Sequence, residues 1–302
     1  MISVKNAVEG RYKFRTRKAS GEITQETGWS DNIITNAGLD YMADKGALIY
    51  KCVVGSGTTP AAATDVVLEN QLALTTTRDS DGTGWTSEAP FYAWSRTRFS
   101  FGEGVAQGNL SEVGILTLHD VLFSRALIVD SNGNPTTITV KSDEFLDVFY
   151  ESRFYGHYPA VTDTVVINGT SHAVSIYLYY INHPSYGVAW GSQGTSQSGL
   201  STGTSPQISY NAPAEYALSP LPNQIGLSNP GMNNTRRPYV PGSYEHIADF
   251  VLPLDRGNHA QGIAAIGFTM GSCSYALHFS PNIPKTENDI LSFTFKHSWG
   301  RK

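Results

Sequence analysis

Apolar and polar positions alternate with a period of two through most of this chain. Residues 145–154 put Leu146, Val148, Tyr150 and Phe154 on one parity and Asp147, Glu151 and Arg153 on the other. Successive side chains of a strand point to opposite faces, so such a run predicts a strand with one buried side. The same reading predicts strands over residues 11–18, 22–29, 49–55, 93–101, 110–116, 122–129 and 136–140. In the second half it predicts a hairpin over 165–181 and strands over 246–252, 262–269, 274–279 and 290–299. Ala19-Ser20-Gly21, residues 130–135 and Asn168-Gly169 supply the turn chemistry of hairpins. One helical pattern occurs, over residues 32–43, with Ile34, Leu39, Met42 and Ala43 apolar and Asn32 or Thr35 available as cap. Residues 187–232 turn to Gly, Ser, Thr, Pro and Asn and predict a long irregular insertion. Its scattered apolar residues, among them Trp190, Leu200, Tyr210, Tyr216, Leu218, Leu221 and Ile225, are too sparse for a core and suit contact with a neighbour.

The alternation repeats between the halves. Ala106-Gln107-Gly108-Asn109-Leu110-Ser111-Glu112-Val113-Gly114-Ile115 returns, one residue shorter, as Ala260-Gln261-Gly262-Ile263-Ala264-Ala265-Ile266-Gly267-Phe268. Phe123-Ser124 then matches Phe279-Ser280, and Leu146, Val148, Tyr150 and Phe154 match Leu291, Phe293, Phe295 and Trp299 in phase. A match that keeps phase keeps the buried side. Binary pattern alone could produce the last match; the Ala-Gln-Gly triplet and the repeated order of segments are harder to reach by chance. The expectation is an all-β chain of two tandem, jelly-roll-like β-sandwich domains, residues 1–156 and 157–302, related by duplication and carrying one short helix near the start.

Composition narrows the function. The chain has 302 residues, enough for two cores without disulfides. Charged residues make up only 16%, which suits strands and turns better than amphipathic helices. A net charge of −5 speaks against nucleic acid as partner, and the basic residues 11–18 alternate with Tyr12, Phe14 and Thr16 as an exposed strand face would. No apolar run approaches the roughly 20 residues of a membrane span, and no signal peptide opens the chain, so no membrane insertion is expected. Cys52 and Cys273, in apolar contexts, read as buried free thiols.

Catalytic and metal chemistry is thin. Asp79-Ser80-Asp81-Gly82-Thr83-Gly84 and Asp130-Ser131-Asn132-Gly133-Asn134 look like calcium loops, but the twelfth positions hold Pro90 and Lys141 where a bidentate Glu is needed, so both read as turns. The eight histidines are scattered without metal-ligand spacing, and no nucleophile elbow or phosphate-binding loop occurs. Asp143-Glu144 cannot form a glycosidase pair, because neighbours on a strand point apart. Neither a metal, a cofactor nor a catalytic residue is expected. The residues that suggest a task are aromatics in or beside turns: Trp85, Phe91, Tyr92, Trp94, Tyr186, Trp190, Tyr210, Tyr216, Tyr239 and Tyr244. Loop aromatics anchor protein contacts, plug the ends of a sandwich, or stack on sugars.

Four strings carry a resemblance. Asn32-Ile33-Ile34-Thr35-Asn36-Ala37-Gly38-Leu39, Val53-Val54-Gly55-Ser56-Gly57-Thr58-Thr59-Pro60, Gly108-Asn109-Leu110-Ser111-Glu112-Val113-Gly114 and Leu122-Phe123-Ser124-Arg125-Ala126-Leu127-Ile128 resemble those of virion proteins of tailed bacteriophages, of the tail-fibre, baseplate and collar kinds. So does the closing Phe295-Lys296-His297-Ser298-Trp299-Gly300-Arg301. The resemblance implies a structural, oligomeric protein of β-sandwich modules, located in the virion after assembly in the host cytoplasm, with other tail, collar or baseplate proteins as partners. The alternative, from another class, is a host-receptor module that binds surface glycan, with depolymerase activity.

Overall fold

The computed structural model describes residues 1–43, 49–86, 88–156, 161–181, 207–210, 233–270 and 273–302. The described residues form an all-β fold with a single short helix. A central sheet of nine strands runs in the order β17 (Asn233–Arg236), β18 (Glu245–Leu252), β21 (Leu291–Arg301), β1 (Ile2–Lys18), β13 (Glu144–Tyr155), β8 (Tyr92–Phe101) and β7 (Arg78–Trp85), with β2 (Ile23–Glu26) and β3 (Ser30–Asp31) paired to the later part of β1. Two five-stranded sheets cover it. One orders β4 (Ile33–Ile34), β11 (Leu122–Leu127), β10 (Glu112–Leu116), β5 (Lys51–Gly55) and β6 (Gln71–Thr75). The other orders β14 (Val161–Ile167), β15 (Thr170–Ile181), β20 (Cys273–Lys285), β19 (His259–Met270) and β16 (Gln207–Ser209). A small pair joins β9 (Gly108–Leu110) to β12 (Ile138–Val140), and α1 spans Asn36–Tyr41.

Strand β1 explains why both smaller sheets lie on one side. Its even-numbered residues, including Val4, Val8, Tyr12, Phe14 and Thr16, are buried, while the odd ones face outward. The Tyr12 hydroxyl lies 2.7 Å from Ser124 Oγ on β11. The Tyr275 hydroxyl, on β20, donates to Asn6 Oδ1. One buried face of one strand thus meets the first half's sheet at Tyr12 and the second half's at Asn6.

Among the described residues the main strands of the two halves repeat each other in order. β13 is antiparallel and β21 parallel to β1, so these two flanking strands run in opposite directions. Beyond them β7–β8–β13 and β17–β18–β21 are both antiparallel and in the same chain order. In the covering sheets β4–β11–β10–β5 corresponds to β15–β20–β19–β16. Register agrees: Leu146 and Val148 face Phe101 and Phe99, while Leu291 and Phe293 face Leu252 and Phe250. Leu146, Val148, Tyr150, Phe154, Leu291, Phe293, Phe295 and Trp299 are all buried.

Four details depart from the sequence reading. Aligned on Gly114 and Gly267, which face Arg125 and Ala276, Ser124 corresponds to Tyr275 rather than to Ser280, so the Phe-Ser match is a chance dipeptide. The helix is shorter than residues 32–43 because Ile33–Ile34 pair with β11, and Thr35 is the cap, its Oγ1 accepting from Gly38 N at 2.9 Å. Residues 79–84 are not a turn but part of β7, whose pairing shifts register between Ser80 and Gly82. Within the expected insertion, Gln207–Ser209 is a strand that brings Ile208 into the core; apart from these residues and Tyr210, residues 187–232 lie outside the described residues.

Candidate functional site

The first four strings that carry the resemblance come together in one place, around the sheet of β4, β11, β10 and β5. β10 and β11 are apolar strands, each carrying one charged residue, Glu112 and Arg125, and both of these are buried. Arg125 binds Glu112 Oε2 through Nε at 3.1 Å and Nη2 at 2.9 Å, holds Asp65 Oδ2 through Nη1 at 2.7 Å, and donates to Thr59 O at 3.0 Å. Glu112 also accepts three backbone amides: Gly57 N at 3.0 Å, Asn70 N at 2.7 Å and Glu69 N at 3.0 Å. Ser111 Oγ donates to Gly57 O at 2.8 Å. The loop between β5 and β6 is therefore fastened along its length to the side chains of Ser111, Glu112 and Arg125. A Cβ at position 57 would stand 2.5 Å from Glu112 Oε1, so the close approach requires glycine. From the other side, Thr35 Oγ1 donates to Leu122 O at 2.5 Å and Asn36 N to Ala63 O at 2.7 Å, tying the helix start to the same unit.

Both Glu112 oxygens are occupied by donors, which leaves this carboxylate a structural clamp and not a free base. The second half lacks the clamp: on the glycine alignment Glu112 and Arg125 correspond to Ala265 and Ala276, both buried. Sequence reasoning passed over Glu112 and Arg125, although a single charge inside an otherwise apolar strand is a legible signal of a buried pair.

The outward face of the central sheet in the first half is a lattice of arginines and aromatic rings. The Arg96 guanidinium sits between Trp29 and Trp94, 4.8 and 5.0 Å from their ring centroids, and Nη2 reaches Glu151 Oε2 at 2.7 Å. Arg15 and Arg17 cover Phe149 and Phe145, and Arg153 covers Tyr92. Arg17 Nε binds the buried Asp147 at 2.9 Å, and Arg153 binds Glu151 at 2.8 Å. Long side chains laid over rings hide apolar area while keeping their charges at the rim. Trp94 packs against β7, where a Cβ on Gly84 would come within 2.7 Å of the ring, so this tryptophan fills the space the glycines leave. Trp85, at the end of β7, is 37% exposed.

Tyr239 and Tyr244 meet on the other side of β1, where the halves touch. The Tyr239 hydroxyl donates to Asp40 Oδ1 at 2.5 Å, and burial together with that carboxylate pushes it well above the usual tyrosine range. Its ring stacks on Trp299 at 6.0 Å and tilts against His246 at 5.5 Å. Trp299 Nε1 donates to Leu39 O at 2.9 Å, and His246 Nε2 to Ala43 O at 2.5 Å. Tyr244 is partly buried against the core, with φ 50°, and its carbonyl accepts from Trp299 N at 3.0 Å. These tyrosines hold the first half's helix to the second half's strands. Tyr210 stacks on His259 at 4.1 Å, away from both groups. Tyr186, Trp190 and Tyr216 lie outside the described residues. The sequence-derived aromatics thus form separate groups and not one surface.

Of the two oxygen-rich segments, the second is a turn held by Asp130 Oδ1, which accepts from Asn132 N at 2.8 Å and Asn134 N at 2.9 Å. Among the described residues no group of three or more His, Cys, Asp or Glu is arranged to hold a metal. Cys52 and Cys273 are both free and buried. No described helix is long and apolar enough to cross a membrane. Comparison of the whole chain with family models, curated proteins and solved structures returns no match in any of the three.

Proposed function

We propose that this chain is a non-enzymatic structural component of a tailed-phage virion, which docks onto tail, collar or baseplate proteins as part of a symmetric oligomer. The observation that carries the reading is the Glu112–Arg125 clamp. The strings resembling virion proteins are one packed unit, and its buried charges are consumed in fastening a loop. A site built to transform a substrate keeps a nucleophile, acid or base in an open cleft, whereas Glu112 and Arg125 are satisfied by each other and by the loop they hold. Arginines laid over aromatic rings on the outer sheet face supply the residue types that anchor protein contacts.

The test is to purify the phage particles encoded with this chain, probe them by mass spectrometry and immunogold labelling, and incubate the isolated protein with host lipopolysaccharide or capsule. Stoichiometric presence at one position in the tail or neck, with no oligosaccharide released, is the expected result. Absence from washed particles, or polysaccharide turnover abolished by replacing one carboxylate, would overturn it.

A further inference from the structure

The sheet that carries the clamp ends at β6, and no other described strand pairs with the free side of β6. Open edges are templates for pairing, and proteins blunt them with charge, proline or extreme shortness. The other described edges follow that rule. β7 carries Arg78, Asp79 and Asp81, β14 carries Asp163, and β4, β16 and β17 are two, three and four residues long. β6 reads Gln71-Leu72-Ala73-Leu74-Thr75, without a charge, and exposes Leu72 at 48% and Leu74 at 40%. The segment leading into it exposes Val66 and Val67 as well. Pairing with β5 shifts register between Val54 and Gly55, so that Leu72 has no partner there. Among the described residues β6 also has no counterpart in the second half, whose covering sheet stops at β16, the equivalent of β5.

We propose that β6 is a self-association edge, occupied by β6 of a second copy of this chain in antiparallel register about Ala73. This rests on the oligomer in the proposed function and adds where its copies meet. The register follows from the sequence. Centred on Ala73, antiparallel pairing sets Leu72 against Leu74 of the other copy twice over, and Gln71 against Thr75, so no charge opposes its own image. The contact is isologous, closes as a dimer, and joins two five-stranded sheets edge to edge. Leucines exposed on the lone chain become cross-strand pairs in the dimer.

Three double variants of the full chain test the register by sedimentation velocity over a concentration series, with circular dichroism and melting temperature confirming the fold. Positions 72 and 74 are exposed, so folding tolerates substitution there. L72K/L74K and L72E/L74E each oppose like charges and are expected to self-associate more than about tenfold more weakly than wild type. Mixed together they pair, and L72K/L74E, which opposes unlike charges at both positions, associates alone. A wild-type chain that stays monomeric throughout would overturn both this contact and the oligomer. A wild-type oligomer unaffected by L72K/L74K would overturn the contact and leave the oligomer standing. Loss of association in L72K/L74E would overturn the antiparallel register.

Discussion

Replacing Glu112 with glutamine removes one charge and almost no volume, which isolates the clamp's electrostatics from its packing. The amide oxygen can keep Gly57 and Asn70, but the new NH2 group then faces Glu69 N and the Arg125 guanidinium, donors against donors. Breaking a buried pair by neutralising one partner costs about 3–5 kcal/mol, because the other charge stays behind in a poor solvent. Arg125 keeps Asp65, whose side chain is 21% exposed and so compensates only in part, which places the expected loss near the lower end, about 3 kcal/mol. At about 2 °C per kcal/mol for a large chain, the melting temperature should fall by about 6 °C. Hydrogen exchange should lose protection first at Gly57, Glu69 and Asn70, the amides that Glu112 accepts. Replacing both partners, Glu112→Leu with Arg125→Met, should cost less than the sum of the two single changes, since neither leaves an orphan charge. A melting shift under about 2 °C for Glu112→Gln, with exchange at those amides unchanged, would refute the claim that this pair fastens the loop.

Two further outcomes follow from burial and charge. Burial pushes the Cys52 thiol well above its usual range and the Cys273 thiol up to about 12, so neither should react with an aromatic disulfide reagent in the native protein at pH 8, while both react in denaturant; stoichiometric native labelling would contradict the buried placement. Glu26 is held low by hydrogen bonds from Lys13 and Arg15, Asp249 by Arg237 and Thr294, and Asp130 by the Asn134 and Asn132 amides, so each contributes stability that is present above the ordinary carboxylate value and lost as pH falls through its depressed folded value. Melting temperatures followed from pH 7 to pH 2.5 should therefore drop steadily below about pH 4, and a flat profile there would show that these contacts do not persist in solution.

Strand positions were legible where one face is core and the other is solvent, because alternation reports that asymmetry directly. It exposed Leu146, Val148 and Tyr150 and their counterparts Leu291, Phe293 and Phe295, and through them the repeated strand order. It failed for β7, where Gly82 and Gly84 provide no side chain to alternate and the strand is completed by Trp94 from its neighbour. The first residues of β1 also went unread, since Asn6 interrupts Ile2, Val4 and Val8 with a polar residue at a buried position. Asn6 is buried because Tyr275, far along the chain, supplies its hydrogen bond, and no local window contains both. The clamp escaped for the same reason: Glu112 and Arg125 are close in sequence, but the amides and carboxylate that complete them come from the loop around residues 57–70.

The repeat and the shared strand together constrain how such a chain can work. Each half supplies the same set of flanking and covering strands, yet β1 occurs once and pairs with β13 along residues 7–18 and with β21 along residues 2–8. Without β1, the pairing edge of β21 at Phe295–Arg301 would open and Tyr275 would lose Asn6 as acceptor. Trp299 and Arg301 of the second half donate to the Leu39 and Ile34 carbonyls of the first, adding a further tie at the same junction. A linker between independent modules would permit relative motion, whereas a sheet continuous across the junction resists it, because each ladder bond must break before the halves can turn. Among the described residues the first half's additions to this frame include the β2–β3 arm, the clamped loop and the β6 edge. Those are the features with charge, exposed leucine and stacked arginine to offer a neighbour, while the repeated strands hold them in fixed relation. Asymmetry added to a repeated frame, and not the frame itself, is where this chain's contacts are to be sought.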